Sequence, residues 1–278
     1  MTAMTAMTAR FGVGRVIATS VRIWGRNLPR FIAITALVYV PLIAWNAAGE
    51  VDALREVVAS YHGWLSTQHL VLRVLPDGRF VVFTCAAVAV THGALVALTG
   101  KPAPIGGGLS TAVRRFFPVI GVSLVAWVTD LVVDVLHWFV WPQGVAAVLL
   151  SRVLTSLILP SLFYLVVPVA TAERRAVVGS IVRGFALARG RRIRVFAIVI
   201  VEQVVWGGLY WGTAVVVLSD RGSEPAARLA TLVLYRFVVL GLRVVVSSFG
   251  TVMAAVTYRL LREDQEGQPA EVLAEVFE

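Results

Sequence analysis

The segment Glu173–Phe196 reads ERRAVVGSIVRGFALARGRRIRVF and carries seven arginines against one acid. It stands between two long apolar stretches, 146–172 and 195–218. Dense positive charge beside apolar stretches marks the cytoplasmic edge of a membrane protein, where basic loops are retained and anionic headgroups lie. Inside the segment, Val178, Ile181, Phe185 and Ala188 fall on one helical face, opposite Arg175, Gly179 and Arg183. Such a helix lies in the membrane interface, with its apolar side in the acyl chains and its arginines among the phosphates. Arg183, Arg189, Arg191 and Arg192 are therefore candidate headgroup contacts.

The rest of the chain agrees with a membrane setting. Of 278 residues, 58% are hydrophobic and only 15% charged, whereas soluble domains average about 25% charged. The apolar residues fall in blocks matching the roughly 20 residues a helix needs to cross a hydrocarbon layer. Helices are expected because each span must satisfy its own backbone hydrogen bonds. Six spans are placed at 31–48, 80–99, 117–140, 146–172, 195–218 and 231–258, within one membrane domain covering 10–262. Residues 1–9, part of a Met-Thr-Ala repeat, are expected to be disordered, and 263–278 to form an acidic cytoplasmic tail. The first span is read as an uncleaved anchor, because Trp45 and Asn46 occupy positions where a signal cleavage site wants small residues.

Basic residues fix the orientation. Five precede the first span, three lie between the second and third, seven between the fourth and fifth, and two follow the sixth. The alternate loops together hold five. Both termini are thus expected in the cytoplasm. The net charge of +9 is assigned to lipid rather than nucleic acid, because the arginines cluster beside spans.

Two further basic segments repeat the pattern. In RFGVGRVIATSVRIWGRNLPRF (10–31), Val13, Ile17, Val21, Trp24 and Leu28 oppose Arg15, Thr19, Arg22 and Arg26. In LSTAVRRFFP (109–118), Leu109, Val113 and Phe116 oppose Thr111, Arg114 and Arg115. Each segment precedes a basic-aromatic junction and a span, so the chain reads as three copies of interfacial helix plus transmembrane hairpin.

From Pro168 onward, VPVATAERRAVVGSIVRGFALARGRRIRVF resembles a bacterial membrane family in which a proline-valine span end meets a glutamate, a short helix and a Leu-x-x-Gly-Arg run. ALTGKPAPIGGGLSTAVRRFFPVIG looks like its second cytoplasmic loop. AVTYRLLREDQEG is similar to its closing Tyr-x-x-Leu-Arg-x-x-x-Glu-Gly motif. The family is the membrane domain of glycerophosphoryl diester phosphodiesterases, with its stand-alone relatives. The resemblance implies a helical protein of the bacterial inner membrane. It implies no phosphodiesterase activity, since these 278 residues leave no room for the fused barrel with its acidic metal ligands.

Charges inside spans are costly and are functional candidates. Asp130, Asp134 and His137 share one face of the third span, and Arg152 lies in the fourth. A tight turn at WPQG sets Asp134 level with Arg152, and a salt bridge is expected there. Arg236 and Arg243, one heptad apart in the sixth span, reach the same depths. The cluster reads as a helix-packing ion-pair network, a substrate path, or a metal site that the arginines disfavour. Glu202 is expected to meet His92, or to pair with Arg194 or Arg191. Pro160 and Pro168 kink the fourth span. Tyr61 and Trp64 suit an outer interface, and His62 and His69 read as surface histidines.

No H-E-x-x-H, G-x-S-x-G or Cys/His cluster occurs, and TGKPAPIGGG lacks the P-loop spacing. Cys85 is alone, so no intrachain disulfide forms. No cofactor is expected. The leading reading is a non-enzymatic membrane protein that binds anionic lipid in a structural or accessory role. The alternative is a small transporter using the Asp/Arg cluster, and a lipid-headgroup enzyme comes third.

Overall fold

The computed structural model describes residues 11–39, 78–140, 157–173, 175–219 and 225–266. Backbone alone is described at 78–82, 130, 133–140, 210–219, 225–237, 239–240 and 243. All regular structure among these residues is helical. The helices are α1 (Val13–Arg26), α2 (Leu28–Tyr39), α3 (Gly78–Ala97), α4 (Ile105–Arg114), α5 (Phe116–Val140), α6 (Leu159–Phe163), α7 (Val166–Ala172), α8 (Val177–Ala188), α9 (Arg192–Ser219) and α10 (Pro225–Glu266).

Proline chemistry accounts for three of the breaks. Proline lacks a backbone N–H and its ring crowds the carbonyl four residues earlier. Pro29, Pro118 and Pro168 stand in the first turns of α2, α5 and α7. Each follows a break, at Asn27, at Arg115 and at Tyr164–Leu165 respectively. At the second break the axis turns by 72°. The turn from α8 into α9 uses Gly190 instead, whose φ of +77° is open to glycine and strained for most other residues.

The described core lies where α1, α4 and α8 meet the longer helices. It joins Phe31 and Ile34 of α2, Val88 of α3, Val119 of α5, Val166 and Val169 of α7, and Leu187 of α8 to Ile198 of α9 and Val252, Met253 and Leu261 of α10. Small residues bring the backbones together. A Cβ on Gly108 would lie 2.8 Å from the Ala89 carbonyl oxygen, and one on Gly121 would lie 2.6 Å from Val177 Cγ2. On Gly184 it would lie 3.0 Å from Val166 Cγ2.

One helical stretch among the described residues, Val244–Glu266, is long and apolar enough to cross a membrane. The bent pair Ile105–Arg114 and Phe116–Thr129 also qualifies if it counts as a single span. Leu28–Tyr39, Phe83–Ala97, Leu159–Ala172 and Val177–Ala188 are shorter apolar helices. The sequence reading put the tail boundary at 263, whereas α10 continues unbroken to Glu266. Arg259–Glu263 and Arg262–Glu266 pairs, each four residues apart, carry the helix past that point.

Candidate functional site at the basic end

Three amphipathic helices were expected, and α1, α4 and α8 stand at those positions. Their apolar faces were expected among acyl chains, and the faces they turn into the protein carry mostly small residues. In α1 the buried residues are Val16, Ser20 and Ile23; in α4, Gly108 and Ala112; in α8, Ser180, Gly184, Leu187 and Ala188. Positions four apart carry small residues, which lets helix backbones approach closely. Several larger apolar residues turn outward. Val21, Val113, Val178 and Val182 are exposed, as are Phe117 (83%) at the start of α5 and Ile193 (85%) at the start of α9. Phe185, assigned to the apolar face, packs on Phe163 with ring centroids 6.1 Å apart.

Arg22, Arg26, Arg30, Arg114, Arg189 and Arg192 lie exposed beside those residues and form no ion pair with a described residue. Arg15 is also exposed, and Arg115 is half-buried. Arg183 and Arg191 behave otherwise. They were expected among headgroups, but they are engaged within the protein, because acids from the end of α10 fold back onto them.

That engagement centres on Glu173, whose side chain is 8% exposed. It accepts from Arg175 Nε at 2.8 Å, from Arg183 Nε at 3.1 Å, and from the Tyr258 hydroxyl at 3.2 Å. Arg183 also pairs with Glu266. Glu266 takes Arg262 Nε at 2.8 Å, and Arg262 Nη1 donates to Tyr258 Oη at 3.3 Å. A second group adjoins it. Asp264 accepts from Arg191 Nη2 at 3.1 Å and from the Phe11 backbone N–H at 3.4 Å. Arg194 Nη1 donates to the Phe11 carbonyl at 2.7 Å, and Gln265 Nε2 donates to the Leu187 carbonyl at 2.7 Å. The end of α10 thus clasps α8, the start of α9 and the entry to α1.

α1 is fastened along its length as well. Trp24 Nε1 donates to Ser248 Oγ at 3.0 Å, and its ring meets Phe249 edge-on with centroids 5.6 Å apart. At the break, Asn27 Oδ1 accepts from the Ala103 N–H at 3.1 Å while its amide donates to the Ile23 carbonyl at 3.1 Å. One side chain thereby ties the α1–α2 break to the α3–α4 connection.

Glu202 and His92 occupy different environments. The Glu202 carboxylate of α9 lies against Gly250 of α10 and within reach of the Tyr164 hydroxyl. His92 of α3 is buried, with Nδ1 3.3 Å from Thr111 Oγ1 of α4. The expected alternatives for Glu202 are replaced, since Arg191 goes to Asp264 and Arg194 to Phe11. Asp130, Asp134, His137, Arg236 and Arg243 stand on described helices, but their side chains, with Arg152 and the WPQG turn, lie outside the described residues. The outer-loop residues Tyr61, His62, Trp64 and His69 lie outside them too. Among the described residues no group of three His, Cys, Asp or Glu side chains is placed to hold a metal.

Sequence reasoning expected the acidic segment from Arg262 to dock on the basic cytoplasmic loops or on a partner protein, but it missed the pairing of Glu173 with Tyr258 and did not single out Asp264 as the partner of Arg191. A clue was present, since Tyr258, Arg262 and Glu266 recur every four residues and so share a helix face. No protein-family model, curated protein or solved structure matches the chain.

Proposed function

We propose that this chain is a six-span protein of the bacterial inner membrane, both termini cytoplasmic, that binds anionic phospholipid in a non-enzymatic, structural or accessory role. One observation carries the reading: exposed arginines, unpaired among the described residues, stand beside exposed large apolar side chains on α1, α4 and the α8–α9 turn. Water would leave those apolar side chains unsatisfied, whereas a headgroup boundary suits both kinds of group. Apolar exposure continues elsewhere, at Leu37, Leu124, Val125, Val128, Ile158, Leu162, Val204 and Val238, as a surface facing acyl chains would require. Helix lengths of 25, 28 and 42 residues for α5, α9 and α10 support spans there, since about 20 suffice.

The two motifs at Glu173 and at Tyr258–Glu266 meet in one network.

Lipid binding is tested by thermal unfolding in neutral detergent with increasing phosphatidylglycerol. The parent protein should gain stability, by about 2.7 kcal/mol when lipid reaches a hundred times its dissociation constant. The variant Arg22→Gln/Arg26→Gln/Arg114→Gln/Arg192→Gln should unfold like the parent without lipid and lose most of the gain. An undiminished gain in that variant overturns the reading.

A further inference from the structure

We infer that the last turn of α10 is a latch that anionic phospholipid opens, its phosphates displacing Glu266 from Arg183 and Asp264 from Arg191. The inference rests on the proposed lipid binding and adds to it a response to lipid composition.

The two latched arginines belong to the basic face by position. Arg183 follows exposed Val182, and Arg191 stands two residues before exposed Ile193. Exposed Arg189 and Arg192 flank Arg191. Neither latched arginine is sealed, since 22% and 39% of their side chains are exposed. A phosphate oxygen therefore has access to each while its acid is still bound. A guanidinium grips phosphate as it grips carboxylate, through paired N–H donors. The acids of α10 and the headgroups thus compete for the same donors.

The last turn is held in a way that permits release. Among the described residues after Leu261 none is buried, so polar contacts do the holding. Asp264 meets Arg191 and the Phe11 N–H, Glu266 meets Arg183, and Gln265 donates to the Leu187 carbonyl. Ion pairs this exposed contribute little individually. The carbonyl end of the helix adds partial negative charge to Glu263, Asp264 and Glu266, and an anionic surface repels the whole turn.

The same arrangement limits how far the latch opens. Tyr258 and Leu261 are buried, so α10 stays docked up to that point. Arg183 keeps Glu173, which is enclosed, and Glu266 keeps Arg262, four residues before it. Arg194 retains the Phe11 carbonyl. Arg191 exchanges a carboxylate for a phosphate, so no buried charge loses all its partners. The basic face gains two arginines where anionic lipid is dense and keeps them neutralised where it is sparse.

The test is hydrogen–deuterium exchange of the full chain in phosphatidylcholine nanodiscs. Phosphatidylglycerol is added in steps at fixed ionic strength, and the melting temperature is recorded on the same samples. Amides of 262–266 should exchange about tenfold faster at high phosphatidylglycerol, the scale expected when a helix end loses its tethers. Those of 250–258 should not change. In Asp264→Asn/Glu266→Gln the 262–266 amides should exchange fast in phosphatidylcholine alone and gain nothing further from phosphatidylglycerol. If that double variant does not fold, Glu266→Gln alone should reach the fast rate at a lower phosphatidylglycerol content than the parent. A raised melting temperature with 262–266 exchange unchanged or slowed leaves lipid binding standing and overturns the latch. If neither quantity responds, lipid binding itself fails and the latch with it. Inorganic phosphate at the same ionic strength should leave the turn closed. Equal opening by phosphate makes a dissolved anion, not the bilayer, the competitor and overturns the inference.

Discussion

Gly184 and Val178 sit six residues apart on α8 and show how small residues, not bulky ones, make its inward face. In water the bulky side of an amphipathic helix turns into the protein. In a membrane, lipid is as apolar as leucine, so bulk can face outward while small residues allow helices to touch. Gly184 touches Val166, and Val178 is 72% exposed. Gly184→Leu should therefore cost about 1–3 kcal/mol through overpacking, read as a lower melting temperature in detergent. Val178→Ala, at an open position, should stay within about 0.5 kcal/mol of the parent. The three helices were legible because arginine and valine alternate at helical spacing. Their rotation was not, because Ser20, Ala112 and Ser180 carry no weight in a hydrophobic pattern.

At the scale of elements, the clasp made by the last turns of α10 is the feature that sequence periodicity could not supply. Its bonds join residues 73, 85 and 253 positions apart, and no local pattern reports such distances. Only the four-residue spacing of Tyr258, Arg262 and Glu266 hinted at a shared face. Glu173→Gln leaves Arg183 short of one carboxylate in a largely enclosed place, and removing one partner of a buried pair costs about 3–5 kcal/mol. A smaller loss is expected here, because Glu266 still reaches Arg183 and because Arg175 and Arg183 are partly hydrated. Tyr258→Phe should cost about 1–2 kcal/mol, one buried hydrogen-bonded hydroxyl. In a double-mutant cycle, Glu173→Gln and Tyr258→Phe should show coupling of at least about 0.5 kcal/mol; additive losses would mean the two do not act as a unit. The helix breaks were more legible, since Pro29, Pro118 and Pro168 announce them, and Pro118→Ala should reduce the 72° bend between α4 and α5.

For the whole molecule, the helical class could be read from the sequence, because its apolar residues fall in blocks of helix-spanning length and a helix satisfies its own backbone hydrogen bonds. The proposed orientation puts Ser110, exposed on α4, in the cytoplasm and Ser66 outside. The chain has a single cysteine, Cys85, which makes the test direct. In a Cys85→Ser background, Ser110→Cys should react with a membrane-impermeant maleimide only in inverted vesicles, and Ser66→Cys only in intact spheroplasts. The opposite result reverses the topology.

Phe11 is gripped at both its N–H and its carbonyl, by Asp264 and Arg194. The beginning of the described chain is thus held by residues made 183 and 253 positions after it. Until positions 264–266 emerge, the Phe11 N–H lacks its acceptor, and Arg183 and Arg191 have only Glu173 of their three acids. Assembly at this end resembles closing a ring, with the final turn of α10 as the link. A quality-control protease meets an open ring in any chain cut short at Thr257, and pulse-chase labelling should show that truncated form inserted yet rapidly degraded while the full chain persists.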